Sequence, residues 1–189
     1  YSGFIPSPQM RWCTRELKII PFEQYCGDDT VHSYVGLRAD EDRQGYISHR
    51  PNIMPHFPFR EDGINKAGVL QILKESGLGM PDYYKWRTRS GCYFCFYQRK
   101  VEWIGLKKHH PELFEQSKTY EKEATATGRR YTWSPKESLD ELELRETEII
   151  KDYEKAQKES LKRMPNKSLI EVFDDTLDEL DEQGPGCIV

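Results

Sequence analysis

The sequence has no long apolar run. Nothing in its 189 residues approaches the roughly 18 consecutive apolar residues that a membrane helix needs, which argues against a spanning segment. No secretory leader pattern opens it either, and the expected setting is the cytoplasm. Apolar residues are scarce overall. Hydrophobic content is 37% against 32% charged, with a mean hydropathy of −0.82. That predicts a small core, with part of the chain extended or held by a partner. Aromatics, at 12%, offset the shortage because each buries a large area. There is no internal repeat. Cysteine is limited to five, which a reducing compartment keeps as thiols. Spaced thiols there point to metal or redox chemistry rather than structural disulfides. Methionine does not open the sequence; Tyr1 does, which raises the expectation of a piece of a longer protein.

Charge is unevenly spread. Residues 1–133 hold 20 Lys and Arg against 16 Asp and Glu, a net of +4, whereas residues 134–189 hold 8 against 16, a net of −8. A basic body with an acidic tail implies a polyanion as partner for the first part and a solvated or docking role for the second. The expected division is therefore a domain over 1–133 and a charged helical extension with an acidic flexible tail over 134–189.

RWCTRELKIIPFEQY (11–25) reads as a short helix that Pro21 stops. VHSYVGLRA (31–39) reads as a strand, and DEDRQGYISHRPN (40–52) as a loop. IMPHFPFRED is punctuated by proline and reads as extended. NKAGVLQILKESG (65–77) sets Val69, Leu70, Ile72 and Leu73 on one side of an amphipathic helix that Gly77 ends. LGMPDYYKWRTRSG is irregular. The stretch from Val101 reads as a helix broken near Pro111 and then another. Residues 134–164 read as one long charged helix opened by Ser134, Pro135 and Glu137. The acidic stretch 166–183 has helical spacing of its apolar residues.

The chemistry concentrates in RSGCYFCFYQRK (89–100). Cys92 and Cys95 form a C-x-x-C pair, which puts two sulfurs on one turn. Cys13 can add a third thiolate if the fold delivers it. Soft thiolates favour an iron–sulfur cluster or zinc. Cys26 is a candidate fourth ligand, and His109 or His110 could serve zinc. The competing readings are a lone dithiol and a small buried Cys13. A thioredoxin-like pair should open a helix soon after a strand, and this pair follows an irregular basic loop.

RWCTRELKIIPF (11–22), YVGLRADEDR (34–43) and a helix leading to LGMPDYYKWRTRSGCYFC (78–95) resemble, in that order and rough spacing, the 3′-phosphoadenylylsulfate (PAPS) reductase family. The likeness runs over about residues 8–125 and is strongest to the sulfur-transfer branch of DNA phosphorothioation and phage-defence systems. It implies an α/β fold of the adenine nucleotide α-hydrolase type with a parallel-sheet core. It also implies a [4Fe–4S] cluster on Cys13, Cys92 and Cys95. Where reductases carry paired cysteines this chain has Trp12–Cys13, which leaves the fourth position to Cys26, a non-cysteine ligand or an open iron. Arg38 matches the arginine of the family's V-G-x-R, near the nucleotide sulfate or phosphate, and guanidinium geometry suits that partner. Arg43 and Lys18 are secondary candidates for binding an adenine nucleotide, ATP or PAPS. The alternative for each is a surface salt bridge with Asp40, Glu41 or Glu16.

Two features depart from the family. Its S-G-G-x-D-S phosphate loop is not in this sequence. The expectation is that the half carrying the loop is missing, supplied by a partner or lost. Family reductases also end in a mobile segment with a nucleophilic cysteine. Cys187 in GPGCIV occupies a comparable place, but acidic neighbours oppose a thiolate, and an incidental tail cysteine is the favoured reading.

Between Lys85 and Lys108 seven basic residues face one acid, Glu102, and eight aromatics, counted from Tyr83 and Tyr84 to Trp103, are interleaved or adjacent. GRRYTW (128–133) repeats the mix. Cations neutralise phosphates and aromatics stack on bases, so this stretch is expected to meet nucleic acid. The plainer reading has the aromatics packing around the cysteines; the cations are taken as mainly functional. Two functions follow as expectations. One is sulfur transfer to nucleic acid, or sulfonucleotide reduction, through a cysteine-ligated cluster. The other is a non-catalytic scaffold with a structural metal, binding a protein partner through residues 134–183.

Overall fold

The computed structural model describes residues 4–45, 47–124, 129–134 and 136–163. Cys187 and the acidic stretch 166–183 lie outside them. The described residues divide into two compact units: residues 12–82, and residues 4–11 together with those from Tyr83 to Arg163. The architecture is mixed α/β, as expected, and no helix among the described residues is long and apolar enough to cross a membrane.

In the unit spanning residues 12–82, α1 (Trp12–Thr14) runs into a π-helical turn (Arg15–Ile19) and then α2 (Ile20–Cys26). Pro21 therefore does not stop the helix, contrary to the sequence reading. The Ile20 N–H donates to the Arg15 carbonyl five residues back. That wider turn absorbs the proline, whose ring would otherwise meet the carbonyl four residues earlier and whose missing N–H falls in the first turn of α2.

Strands β1 (Val31–Tyr34) and β2 (Ile53–His56) pair in parallel, with Val31 opposite Ile53 and Tyr34 opposite His56. The loop 35–52 supplies the long connection that a parallel pair requires. Asn52 fixes the start of β2 by donating from Nδ2 to the carbonyls of Gly27 (3.1 Å) and Asp29 (2.8 Å). Leu37 and Ile53 are buried, whereas His32 and Tyr34 on the other face are exposed. The segment expected to be extended from Ile53 is so in β2, and departs from that reading where Pro58 opens α3 (Pro58–Glu61). Pro58 sits at the start of that helix, where its missing N–H costs nothing. Next, α4 (Lys66–Glu75) forms where its periodicity predicts it. The Asn65 side chain caps it by accepting from the Gly68 N–H at 3.0 Å.

The unit that includes Tyr83 onward is built on α5 (Lys100–His109) and α6 (Pro111–Lys118), broken at Pro111 as the sequence predicts. β3 (Lys122–Ala124) and β4 (Arg129–Tyr131) pair antiparallel, with Lys122 opposite Tyr131, a pairing that sequence reasoning missed. The long charged helix is also corrected. It starts later, with α7 (Leu139–Leu144), because Ser138 and Glu141 form a capping box. It then breaks at Arg145 before α8 (Glu146–Arg163), and the Arg145 guanidinium ties Glu137 on one side to Glu148 on the other. Trp103, Ile104, Leu106, Phe114, Trp133, Leu139 and Leu142 are buried together in this unit. Each such side chain contributes about 1.5–3 kcal/mol of transfer free energy, and this makes α5 the centre of the core.

Candidate metal-ligand turn and its surroundings

The Cys92–Cys95 pair sits on a tight turn that enters α5. The Cys95 N–H donates to the Cys92 carbonyl at 3.2 Å, and the Gln98 N–H to the Cys95 carbonyl at 3.0 Å. Cys92 is exposed and Cys95 half-buried; neither is in a disulfide.

Three buried polar side chains hold this turn. Arg87 donates from Nη1 to the Gly91 carbonyl (3.1 Å) and from Nη2 to the Cys92 carbonyl (3.3 Å). Gln98 donates from Nε2 to the Tyr93 carbonyl at 2.6 Å. Glu102, only 1% exposed, accepts from the Thr88 N–H (2.9 Å), the Thr88 hydroxyl (2.7 Å) and the Arg99 N–H (2.9 Å). One carboxylate thus joins both ends of the 88–99 loop to the first turn of α5. Such a group is tolerated in the core only because its lone pairs are used.

The aromatics around the turn are largely packing, as the plainer reading has it. Phe96 is buried, and Phe94 lies 5.9 Å from Trp133 and 6.0 Å from Tyr120, between ring centroids. Tyr93 is pushed up to about 12, first by burial and then by its hydrogen bond with Tyr120, with the Cys92 sulfur adding to it. It stays a neutral phenol throughout the physiological range.

The cations of the stretch have partners within the chain. Arg89 donates to the Tyr97 carbonyl at 3.1 Å. Arg99 lies 5.2 Å from the Tyr153 ring. Lys100 pairs with Glu137 (2.9 Å), Lys107 with Glu146 (2.8 Å) and Glu143 (3.2 Å), and Lys108 with Glu146 (3.4 Å). With Arg87, these charges are engaged within the chain. The carboxylates they meet come from the acid-rich region after Trp133, so the charge asymmetry of the sequence is partly neutralised inside one unit. Arg130 of the second basic island does the same, as a two-pronged pair with Glu141.

The other predicted residues are placed as follows. Cys13 is half-buried in α1, and Cys26 is buried at the end of α2. Both belong to the unit spanning residues 12–82, whereas Cys92 and Cys95 belong to the other. Among the described residues no group of three or more His, Cys, Asp or Glu side chains is gathered for a metal ion. His109 and His110 lie against the Trp86 ring, at 5.5 and 6.0 Å between ring centroids. Arg38 pairs with Asp40 (3.0 Å) and Glu41 (3.4 Å), and Arg43 with Glu41 (2.6 Å). Arg60 donates to the carbonyls of Glu41 and Arg43, which pins the loop. Lys18 is half-buried in the π-helical turn.

A protein of Methanocaldococcus jannaschii resembles this chain. It is the uncharacterized protein MJ0973, 26% identical over 123 residues that cover 59% of this chain and 29% of that protein. The chain thus spans less than a third of its relative's length. No family model matches the chain, and no solved structure does.

The donor set fits half of a thiolate metal centre. Two sulfurs share one turn, and Arg87, Gln98 and Glu102 hold the backbone of that turn. Sequence reasoning missed Glu102 as an anchor. The signal was there, as the single acid among seven bases between Lys85 and Lys108.

Proposed function

We propose that the Cys92–Cys95 turn supplies two thiolates of a metal centre in a PAPS reductase-like protein of sulfur chemistry. Cys13 is the third ligand that the sequence suggests, and Cys26 a candidate fourth. The observation that carries this reading is the turn itself. Its two thiols lie on a backbone fixed by Arg87, Gln98 and Glu102. Preorganisation of that kind lowers the ordering cost of binding an ion. A [4Fe–4S] cluster, when bound, supplies electron or sulfide relay; zinc would supply structure alone. The chain's own contribution is to hold the two sulfurs and to place the Arg87 cation against the Cys92 carbonyl, which favours an anionic ligand set.

The substrate class is an adenylated or sulfated nucleotide, with nucleic acid as sulfur acceptor. Arg38 and Arg43 are the residues to grip phosphate, and Asp40 and Glu41 are the partners that phosphate oxygens would displace. A second reading is favoured by the intrachain pairing of Arg87, Lys100, Lys107 and Lys108. Cations spent on carboxylates and carbonyls leave less for a polyanion, and a scaffold with a structural metal then follows.

Anaerobic purification with visible absorption and metal analysis decides between them. A broad band near about 400 nm, lost in Cys92→Ala and Cys13→Ala, is the expected result. Stoichiometric zinc without colour supports the scaffold. Absence of both metals from protein purified anaerobically sinks the metal centre.

A further inference from the structure

Outside the cysteine turn, one cluster of metal-ligating side chains has a geometry of its own. It lies on the exposed face of the parallel pair. Strand alternation puts His32 and Tyr34 on the same side of β1, and parallel register puts Met54 and His56 of β2 on that side with them. The two imidazoles meet diagonally. His32 Nδ1 lies 2.8 Å from His56 Nε2, and the ring planes are within 25°. Tyr34 stacks on His56 at 5.1 Å and 24°, which limits the rotation of that ring. Tyr34 is itself 72% exposed, so the face is open to solvent.

Two imidazole nitrogens this close need something between them, because two lone pairs repel and so do two N–H groups. A single shared proton is one solution, and a cation that accepts both lone pairs is the other. Two ligands about 2.0 Å from one ion and at right angles stand about 2.8 Å apart, the separation here. Imidazole pairs suit the late first-row divalent ions.

We propose that His32 and His56 form a two-imidazole site for Ni(II) or Cu(II), with its other positions left to water or an incoming ligand. The site clips β1 to β2 across the open face. It requires nothing of the cysteines and stands whether or not the thiolate centre does.

The test is a nickel titration of the whole chain, followed by calorimetry and by thermal unfolding, on the protein and on His32→Gln, His56→Gln, the double variant and Cys92→Ser/Cys95→Ser. Both histidines stand at the surface of the sheet, and matched circular dichroism checks that each variant folds. The expected result is a saturable site in the protein and in the cysteine variant, with the unfolding midpoint raised by nickel. Each single histidine substitution should weaken nickel about tenfold or more, and the double variant should be little worse than either single one, since the chelate is already lost. Proton resonances of the two rings should broaden first on adding the paramagnetic ion. Nickel affinity that is unchanged in the histidine variants, or that disappears only in the cysteine variant, overturns the proposal, as does a protein that binds no nickel.

Discussion

Glu102 shows how much one residue can decide. It stands in a stretch of sequence that otherwise looks like a polyanion-binding surface, yet it faces inward and accepts three hydrogen bonds from Thr88 and Arg99. Substituting Glu102→Ala removes the acceptor for two backbone N–H groups at once. Leaving buried donors unmet costs about 1–3 kcal/mol each, so the urea midpoint should fall by a large fraction of the stability of a small domain. Glu102→Gln should be milder at the Thr88 end and still harmful at the other, because an amide nitrogen would there confront the Arg99 N–H. The selective readout is proteolysis. Cleavage within 88–99 should accelerate in both variants before global unfolding does. Cleavage at wild-type rates would show that the loop is held by something other than this carboxylate. The same residue explains why the site was only half legible in the sequence. The C-x-x-C pair announces itself by spacing, whereas Glu102 is marked only as the single acid of a basic stretch, and that mark does not say that it turns inward to hold Thr88 and Arg99.

Elements that obey periodicity were readable, and those set by exceptions were not. The amphipathic pattern of α4 and the break at Pro111 follow from local rules and appear as expected. Pro21 misled because a π-turn can take up what an α-helix cannot. The β3–β4 pair is short, charged and without apolar alternation, so no period marked it. Helix α5 adds a different kind of constraint. A Cβ placed on Gly105 would come 2.7 Å from Cε3 of Trp86, whose ring lies across the helix and stacks on His109. Gly105→Ala therefore must move the indole, although alanine is the better helix former. The loss from overpacking is about 1–3 kcal/mol and outweighs a propensity gain of about 1 kcal/mol. Arg87 follows Trp86 directly and holds the Cys92 carbonyl, so the displacement should reach the thiol turn. Faster alkylation of Cys95 in Gly105→Ala, alongside a lower melting temperature, is the expected pair of results. A variant as stable as the parent would mean that Trp86 can slide aside freely.

At the scale of the whole molecule, charge is the quantity that links sequence to behaviour. The basic stretch and the acid-rich stretch that follows it looked like two partners' surfaces; in the folded chain much of each neutralises the other. Lys118 gathers Glu115 (2.9 Å), Asp140 (3.0 Å) and Glu143 (2.5 Å), and Arg145 gathers Glu137 and Glu148. The effect on pH dependence has a definite sign. Arg130 holds Glu141 at about 2, with the Ser138 N–H adding to it. Glu137, Glu143, Glu146 and Glu148 are lowered as well, chiefly by hydrogen bonds from Lys100, Lys118, Lys107 and Arg145 in turn. A carboxylate whose folded value lies below its unfolded one, about 4.3, stabilises the fold above that pH. That contribution is lost as pH falls through the window down to about 2 for Glu141. Glu121 has the opposite sign. Burial raises it against the Leu139 and Trp133 N–H bonds, so its contribution is greatest in acid and fades as pH rises through its raised value. Five lowered groups against one raised group predict a melting temperature that drops steadily on acidification below about pH 4.3. Glu141→Gln should flatten part of that slope, and salt should flatten more of it, most of all for the exposed Arg130–Glu141 and Arg145–Glu148 pairs. A slope that ignores both salt and Glu141→Gln would place the acid sensitivity elsewhere in the chain. The same salt series bears on the nucleic-acid reading. Cations released from their carboxylates in acid become available to phosphate, so nucleic-acid affinity should rise only as pH falls below about 4.3, through the lowered values of Glu137, Glu143 and Glu146, and should collapse with added salt if residues 85–108 form that surface.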